Sequence, residues 1–168
     1  QSVQAAPKHA GASVTTIPLH PEDSWQINPA DVEAAIRPNT KYLALNEPFN
    51  PTGTLMSAET QSQLKDIARK HGPYILSDEV YRLLEHDAKD RIPAMADLYE
   101  KGLSAVTMSK PWGACGLTIG WLAFQDTDLR QKFIDAQYFG TACIGRASEI
   151  QAIMVLRSSD DIIQRNMK

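Results

Sequence analysis

The stretch VTMSKPWGACGLTIGW, residues 106–121, decides the fold of this chain. Its apolar and β-branched ends predict two strands, and the glycines between them predict a turn. Lys110 lies where the first strand meets Gly113 and Gly116 of that turn. Three interpretations of this lysine are open: a solvated surface charge, a contact for a bound phosphate, or an amine nucleophile in an apolar setting.

Strand and helix signals alternate around this stretch. Runs rich in β-branched or apolar residues predict strands at 12–19, 41–46, 74–78, 103–109 and 118–124. Capping residues and apolar periodicity predict helices at 30–37, 58–70, 128–139 and 146–157, with Asn28 and Ser57 as N-caps and Gly72 as a stop signal. The alternation predicts an α/β protein in which a mostly parallel sheet is flanked by helices.

Polar residues follow three of the predicted strands. They are Asn50, then Asp78 with Tyr81, then Ser109 with Lys110. The steps along the chain are 28 residues (50 to 78) and 32 residues (78 to 110), each close to one helix-plus-strand crossover. Because ligands of parallel sheets bind beyond the carboxyl ends of the strands, we expect one site to collect all three groups.

Each of these residues also has a plain structural interpretation. Asn50 lies in NPTG, which is typical of an ordinary turn, or of an amide held rigidly toward a ligand. Asp78 is either an exposed acid or helix cap at the strand end, or a buried carboxylate that opposes a cation. Glu79 points away in the same geometry, which predicts a solvent-facing or structural role.

The composition limits the class of protein. The chain has 168 residues, 43% hydrophobic and 22% charged, which suits one soluble globular domain. Its net charge of -3 argues against a nucleic-acid or anionic-membrane surface, and no apolar run reaches the roughly 20 residues of a membrane span. Two cysteines, Cys115 and Cys143, do not make a disulfide framework, and the histidines lack metal-ligand spacing, so we expect a cytoplasmic protein without a metal.

Three motifs together resemble the fold type I pyridoxal-phosphate enzymes, and more narrowly the class I/II aminotransferases. They are NPTG with Asn50, SDEVY with Asp78 and Tyr81, and TMSKPWGACGLTIGW with Lys110. Each motif is modest alone, but their order and spacing together are specific, and the flanking WQINPADVEAAIRPNTKYLALNEP and GRASEIQAI fit the same family. The resemblance implies the three-layer α/β/α large domain, a homodimer, and amino acid and 2-oxo acid substrates.

The resemblance also implies a role for each motif residue. Lys110 would form a Schiff base with the cofactor, pyridoxal 5′-phosphate, and later move a proton at the substrate α-carbon. Asp78 would pair with the pyridine nitrogen and keep the ring an electron sink. Asn50 and Tyr81 would hydrogen-bond the phenolic oxygen of the cofactor.

The phosphate side of the site departs from the family pattern. Thr107 and Ser109 match the hydroxyl positions before the lysine, with Thr107 the better candidate for a phosphate contact. Eight residues after the lysine the family usually has an arginine, but this chain has Thr118. A bidentate cation is thereby replaced by a neutral hydroxyl, and phosphate binding must depend on backbone N–H groups, Thr107 or residues outside the chain.

Members of this family are commonly about twice as long as this chain. We therefore expect a piece of a longer protein, in which residues 1–145 form the central part of the cofactor-binding large domain. Residues 146–168 would then form a helix leading toward the small domain.

The expected activity is an aminotransferase acting through the Lys110 Schiff base. The same site would also serve a lyase, cyclase, decarboxylase or oxidase on this fold. A non-catalytic binding module or inactive relative is the alternative of a different class. Against it, Asn50, Asp78, Tyr81 and Lys110 are all intact.

Overall fold

The computed structural model describes residues 2–168 and contains one four-stranded sheet. Its strands lie in the order β1 to β4 along the sheet: Tyr42–Asn46, Tyr74–Asp78, Gly102–Thr107 and Gly120–Phe124. β1 pairs with β2 and β2 with β3 in parallel, whereas β4 is antiparallel to β3. The predicted α/β architecture with a mostly parallel sheet is confirmed.

The described residues form seven α-helices. They are α1 Ser2–His9, α2 Pro29–Ala35, α3 Ala58–His71, α4 Met95–Leu98, α5 Asp128–Gly140, α6 Arg146–Arg157 and α7 Ser159–Asn166. Short 3-10 helices lie at Pro21–Asp23, Ala88–Asp90 and Cys115–Leu117. No helix within residues 2–168 combines the length and the apolar character needed to cross a membrane.

Helix α3 begins and ends where its capping residues predict. The Ser57 hydroxyl accepts a hydrogen bond from the N–H of Thr60, which satisfies a donor of the first turn. Gly72 ends the helix in the left-handed region at φ 93°, and its N–H donates to the Ala68 carbonyl at 2.7 Å. Leu64 and Ala68 are fully buried, so this face holds the helix against the sheet.

Two apolar clusters stabilise the fold. The main core lies between the sheet and the helices α2 to α4, and consists of Val32, Leu45, Met56, Leu64, Ala68, Ile75, Met95 and Tyr99. The second core consists of Met108, Trp112 and Ala152, with partly buried residues of α6 and α7 packed against it. Residues 108–113, which we call the lysine turn, include the exposed Lys110 and contribute Met108 and Trp112 to this core.

The strand predicted at 12–19 is wrong, because this segment has no regular structure. Ile17 packs against the main core, so the apolar residues of the segment are used in side-chain packing. A strand also needs a neighbouring backbone to pair with, and β-branched composition carries no information about that neighbour. β3 and β4 are also shorter than predicted, which leaves Ser109 and Thr118 outside the strands.

A buried carboxylate joins β2, β3 and α4. Glu79 is only 4% exposed, and its Oε1 accepts hydrogen bonds from the Met95 N–H at 2.9 Å and the Ser104 hydroxyl at 2.7 Å. The Ser104 oxygen accepts in turn from the N–H of Ala96 at 3.0 Å. Helix α4 has no side-chain cap of its own, so these two distant side chains satisfy its first N–H groups. Glu79 is therefore structural, and the solvent-facing alternative is wrong.

A small cavity of about 10 Å³ lies beside this network and is lined by Glu47, Glu79 and Glu85. The Glu47 Oε1 accepts a hydrogen bond from the Met56 N–H at 2.9 Å. Burial raises the pKa of Glu47 to about 7, and the neighbouring carboxylates of Glu85 and Glu79 add to the rise. Glu47 therefore keeps its proton in the folded protein at pH values where it loses it in the unfolded chain.

We predict that Glu47→Gln removes part of the pH dependence of stability. Between about pH 4.5 and about 7 the unfolded chain ionises Glu47 before the folded protein does, so the free energy of unfolding falls as pH rises. The glutamine variant lacks this fall, which urea unfolding at several pH values would measure. The exposed Glu22→Gln is the control, and identical pH profiles for the two variants would contradict the assignment.

A substitution at Gly102 would test the packing of α4 on the sheet. A Cβ at this position would overlap the backbone carbonyl oxygens of Met95 and Tyr99, which cannot move without displacing α4. We expect Gly102→Ala to lower the free energy of unfolding by about 2 kcal/mol or more. Gly140→Ala, with open space at its Cβ, is the matched control and should change stability little. Equal effects of the two substitutions would show that this close approach is not a constraint.

Candidate functional site

The carboxyl ends of β1 and β2 are joined by the side chain of Asn46. Asn46 lies opposite Asp78 in the parallel register, and its Nδ2 donates to the Asp78 backbone oxygen at 3.0 Å. Its Oδ1 accepts from the N–H of Asn50 at 2.8 Å. One amide therefore ties two strand ends to the turn that carries Asn50. Our sequence interpretation missed Asn46, although it ends a predicted strand, because its partner is 32 residues away.

Asn50 and Tyr81 are brought into direct contact. The Asn50 Nδ2 donates to the Tyr81 phenol oxygen at 3.0 Å. The turn around Asn50 is closed by backbone hydrogen bonds from Gly53 to Phe49 at 2.8 Å and from Phe49 to Thr54 at 3.0 Å. Because Asn50 donates to the phenol oxygen, the phenol proton remains available to donate to a ligand.

Lys110 and Asp78 lie at the same edge of the sheet. Lys110 is exposed, and its Nζ lies 5.6 Å from the centroid of the Tyr81 ring, a cation–π distance. Asp78 is half-buried, and its carboxylate accepts one long hydrogen bond of 3.4 Å from the Val80 N–H. Burial raises the pKa of Asp78, and that hydrogen bond and the positive charge of Lys110 partly oppose the rise.

This edge therefore collects Asn50, Asp78, Tyr81 and Lys110, which the sequence places on three separate segments. The exposed amine is a potential nucleophile, the weakly bonded carboxylate is a potential partner for a cation, and the phenol is a potential donor to an oxygen. An open cleft of about 290 Å³ lies on the Asn50 and Tyr81 side, next to Phe49.

Thr107 and Ser109 also lie together. Their hydroxyl oxygens are 2.6 Å apart, and the Ser109 N–H points to the Thr107 oxygen at 3.4 Å. The Thr107 hydroxyl also lies 3.4 Å from the Ile119 carbonyl of the chain entering β4. The pair therefore places two hydroxyl groups side by side at the end of β3.

Thr118 follows the 3-10 helix Cys115–Leu117 and is exposed. It adopts the left-handed conformation at φ 53° and ψ 43°, which is unusual for a β-branched residue. Within residues 2–168, no hydrogen bond joins Thr118 to the Thr107 and Ser109 pair, and no arginine or lysine hydrogen-bonds to any of the three. The described chain thus presents neutral hydroxyl groups where the family pattern has a cation.

Comparison with known proteins identifies the family. The sequence model of the protein family "Aminotransferase class I and II" matches residues 1–166. The chain is 40% identical over 105 residues to alanine aminotransferase of Mycobacterium bovis, covering 59% of this chain and 23% of that protein. It is 32% identical over 116 residues to arginine–pyruvate transaminase of Pseudomonas aeruginosa, covering 67% of this chain and 29% of that protein.

Solved structures agree with this match. A PLP-dependent aminotransferase from Streptococcus suis superposes with a TM-score of 0.89 at 31% identity, covering 96% of this chain and 42% of that one. The chain thus spans less than half the length of the similar proteins, and the match extends over nearly all of the described fold. This chain belongs to the class I and II aminotransferase family.

Proposed function

We propose that the full-length protein is a pyridoxal-phosphate-dependent aminotransferase that moves an amino group between an amino acid and a 2-oxo acid. The observation that carries the proposal is the convergence of Lys110, Asp78, Tyr81 and Asn50 at one edge of the sheet. Membership of the aminotransferase family supports the same activity.

The residues at this edge fit the cofactor. The cofactor, when bound, supplies an aldehyde and a protonated pyridine ring that withdraws electrons from an attached amino acid. The Asp78 carboxylate accepts one hydrogen bond of 3.4 Å from within the described chain, so it has capacity to pair with a ring N–H⁺. Such a cation would also compensate for the burial that raises the pKa of Asp78.

Lys110 would supply the amine that holds the cofactor as a Schiff base. Its side chain is exposed at the sheet edge, while the Tyr81 ring lies 5.6 Å from Nζ and limits where the amine can go. The Lys110 amine would also be the group that moves a proton at the substrate α-carbon.

Asn50 and Tyr81 act on the cofactor's ring hydroxyl. The 3.0 Å hydrogen bond between them orients the phenol so that its proton is directed to another acceptor. Asn50 and Tyr81 would hold the ring oxygen of the cofactor as hydrogen-bond donors and would stabilise negative charge on it.

Phosphate binding in this protein uses hydroxyl groups. Thr107 and Ser109 are the proposed donors, and their contact at 2.6 Å keeps both oxygens on one side of the turn. Thr118 contributes at most a neutral hydroxyl, so the rest of the phosphate site depends on backbone N–H groups, on Thr107 or on residues outside this chain.

The chain forms a defined part of the complete enzyme. We propose that residues 1–145 are the central part of the large domain and that 146–168 lead toward the small domain. We also propose a homodimer, supported by exposed apolar side chains such as Phe139, which is 89% exposed. A cytoplasmic location is consistent with free thiols at Cys115 and Cys143.

Other reactions of the same cofactor are the second candidate, because lyases, cyclases and oxidases would use the same lysine and carboxylate. An amino donor added alone to the full-length protein separates these reactions. An aminotransferase releases one 2-oxo acid per site and keeps the nitrogen on the cofactor. Continuous release of ammonia without a second substrate would indicate elimination or oxidation and would contradict the proposal.

We predict that Lys110→Ala abolishes covalent attachment of the cofactor. Borohydride reduction of the full-length protein with bound cofactor should label wild type at Lys110, as read by peptide mass spectrometry, and should leave the variant unlabelled. Lys132→Ala, an exposed position on α5, is the matched control and should label like wild type. Absence of label at Lys110 in wild type would leave a non-catalytic relative as the better description.

We predict that Asp78→Asn lowers kcat while the cofactor remains attachable to Lys110. Loss of a charge-assisted hydrogen bond costs about 1.5–3 kcal/mol, which corresponds to roughly 10–100-fold in rate. Steady-state kinetics and borohydride labelling of the same samples would measure both effects. Asp97→Asn, at an exposed position of α4, is the control, and equal rates for the two variants would exclude the proposed pairing.

A further inference from the structure

Helix α7 is hydrogen-bonded to the lysine turn at both of its ends. The Trp112 Nε1–H donates to the hydroxyl of Ser159, the first residue of the helix, at 2.7 Å. The Nδ2 of Asn166, the last residue, donates to the Pro111 carbonyl at 2.9 Å. Pro111 and Trp112 directly follow Lys110, so both contacts reach the chain within two residues of the amine.

Lys110 is exposed, whereas Met108 before it and Pro111 and Trp112 after it are buried. Met108 and Pro111 are almost completely inaccessible, and Trp112 is only 7% exposed. Met108 and Trp112 pack in the second core, against which Ile162 and Ile163 of α7 also lie. The second core thus anchors the lysine turn, and α7 forms part of that anchor.

The lysine turn has few backbone hydrogen bonds of its own. Gly113 N–H donates to the Lys110 carbonyl at 3.1 Å, and Ala114 N–H donates to the Met108 carbonyl at 3.1 Å. Gly113 adopts a φ of 61°, and a Cβ built there would lie 3.4 Å from the Asn166 Nδ2. Asn166 therefore closes over the turn at the point where the backbone changes direction after Lys110.

We infer that Ser159 and Asn166 of α7 are positioning residues for Lys110, acting through Trp112 and Pro111 to set where the amine lies relative to Tyr81 and Asp78. The inference rests on the proposed function, in which Lys110 carries the cofactor. Neither residue touches the reacting atoms. Removing the Asn166 donor leaves the buried Pro111 carbonyl without this partner, which favours a displaced turn.

The test uses the full-length protein with bound cofactor and the variants Asn166→Ala and Ser159→Ala. We expect kcat to fall by roughly 10-fold or more, with little change in KM. The upper limit is roughly 100-fold, which is the loss in rate for a displacement of a reacting group by about 1 Å. We also expect a shift in the apparent pKa of the Lys110–cofactor linkage, measured by titrating its visible absorbance. Gln164→Ala, exposed on the same helix, should change neither quantity.

Two further variants keep the test decisive if Asn166→Ala fails to fold. Trp112→Phe removes the indole N–H but keeps an aromatic ring. Because this variant and Ser159→Ala each break the same hydrogen bond, their effects on kcat should not add in a double-mutant cycle. Ser159→Thr keeps the hydroxyl, so the absorbance of the Lys110–cofactor linkage should titrate as in wild type.

The possible failures are distinguishable. Wild type that does not attach cofactor at Lys110 would refute the proposed function. Wild type that attaches cofactor, with variants that lose thermal stability but titrate and turn over like wild type, would refute the positioning role alone.

Discussion

The parallel pairing of β1, β2 and β3 is the constraint on which the rest of the structure depends. It sets Asn46 opposite Asp78 and Asp78 opposite Ala105, so the chain segments leaving all three strands meet at one edge. Asn46 then uses both ends of its amide to link the β2 end to the turn of Asn50. A shift of one residue in this register would turn the Asp78 side chain to the other face of the sheet.

The adjacent carboxylates of Asp78 and Glu79 have different roles because their surroundings differ. Glu79 is buried, and one oxygen is fully used to hold α4 and Ser104. Asp78 is half-buried and accepts one long hydrogen bond, so it retains capacity for a ligand. In chemical terms, a carboxylate whose donors come from its own chain is structural, and one that lacks strong donors is available for binding.

The position of the lysine amine is decided by two separate packing units. The main core holds the strands and α3, and therefore the segments that carry Asn50 and Asp78. The second core holds Met108 and Trp112, and it includes residues of α6 and α7 near the end of the described chain. Lys110 lies on the segment that holds Met108 and Trp112 of the second core, whereas Tyr81 follows β2, whose Ile75 is in the main core. The 5.6 Å distance between Nζ and the Tyr81 ring therefore depends on how both units are packed.

The sequence by itself determined the elements with local signals and the group of motif residues. Ser57 and Gly72 mark the beginning and the end of α3. The spacing of Asn50, Asp78 and Lys110 indicates that these residues lie at one edge of the sheet. Only the tertiary structure decided that residues 12–19 form no strand and that Thr118 adopts the left-handed conformation. It also decided the hydrogen bond from Asn46 to Asp78 and the contacts of α7 with the lysine turn. The reason is physical. Local propensity reports the conformation of a few neighbouring residues, whereas these features depend on partners brought close by packing, up to 55 residues away along the chain.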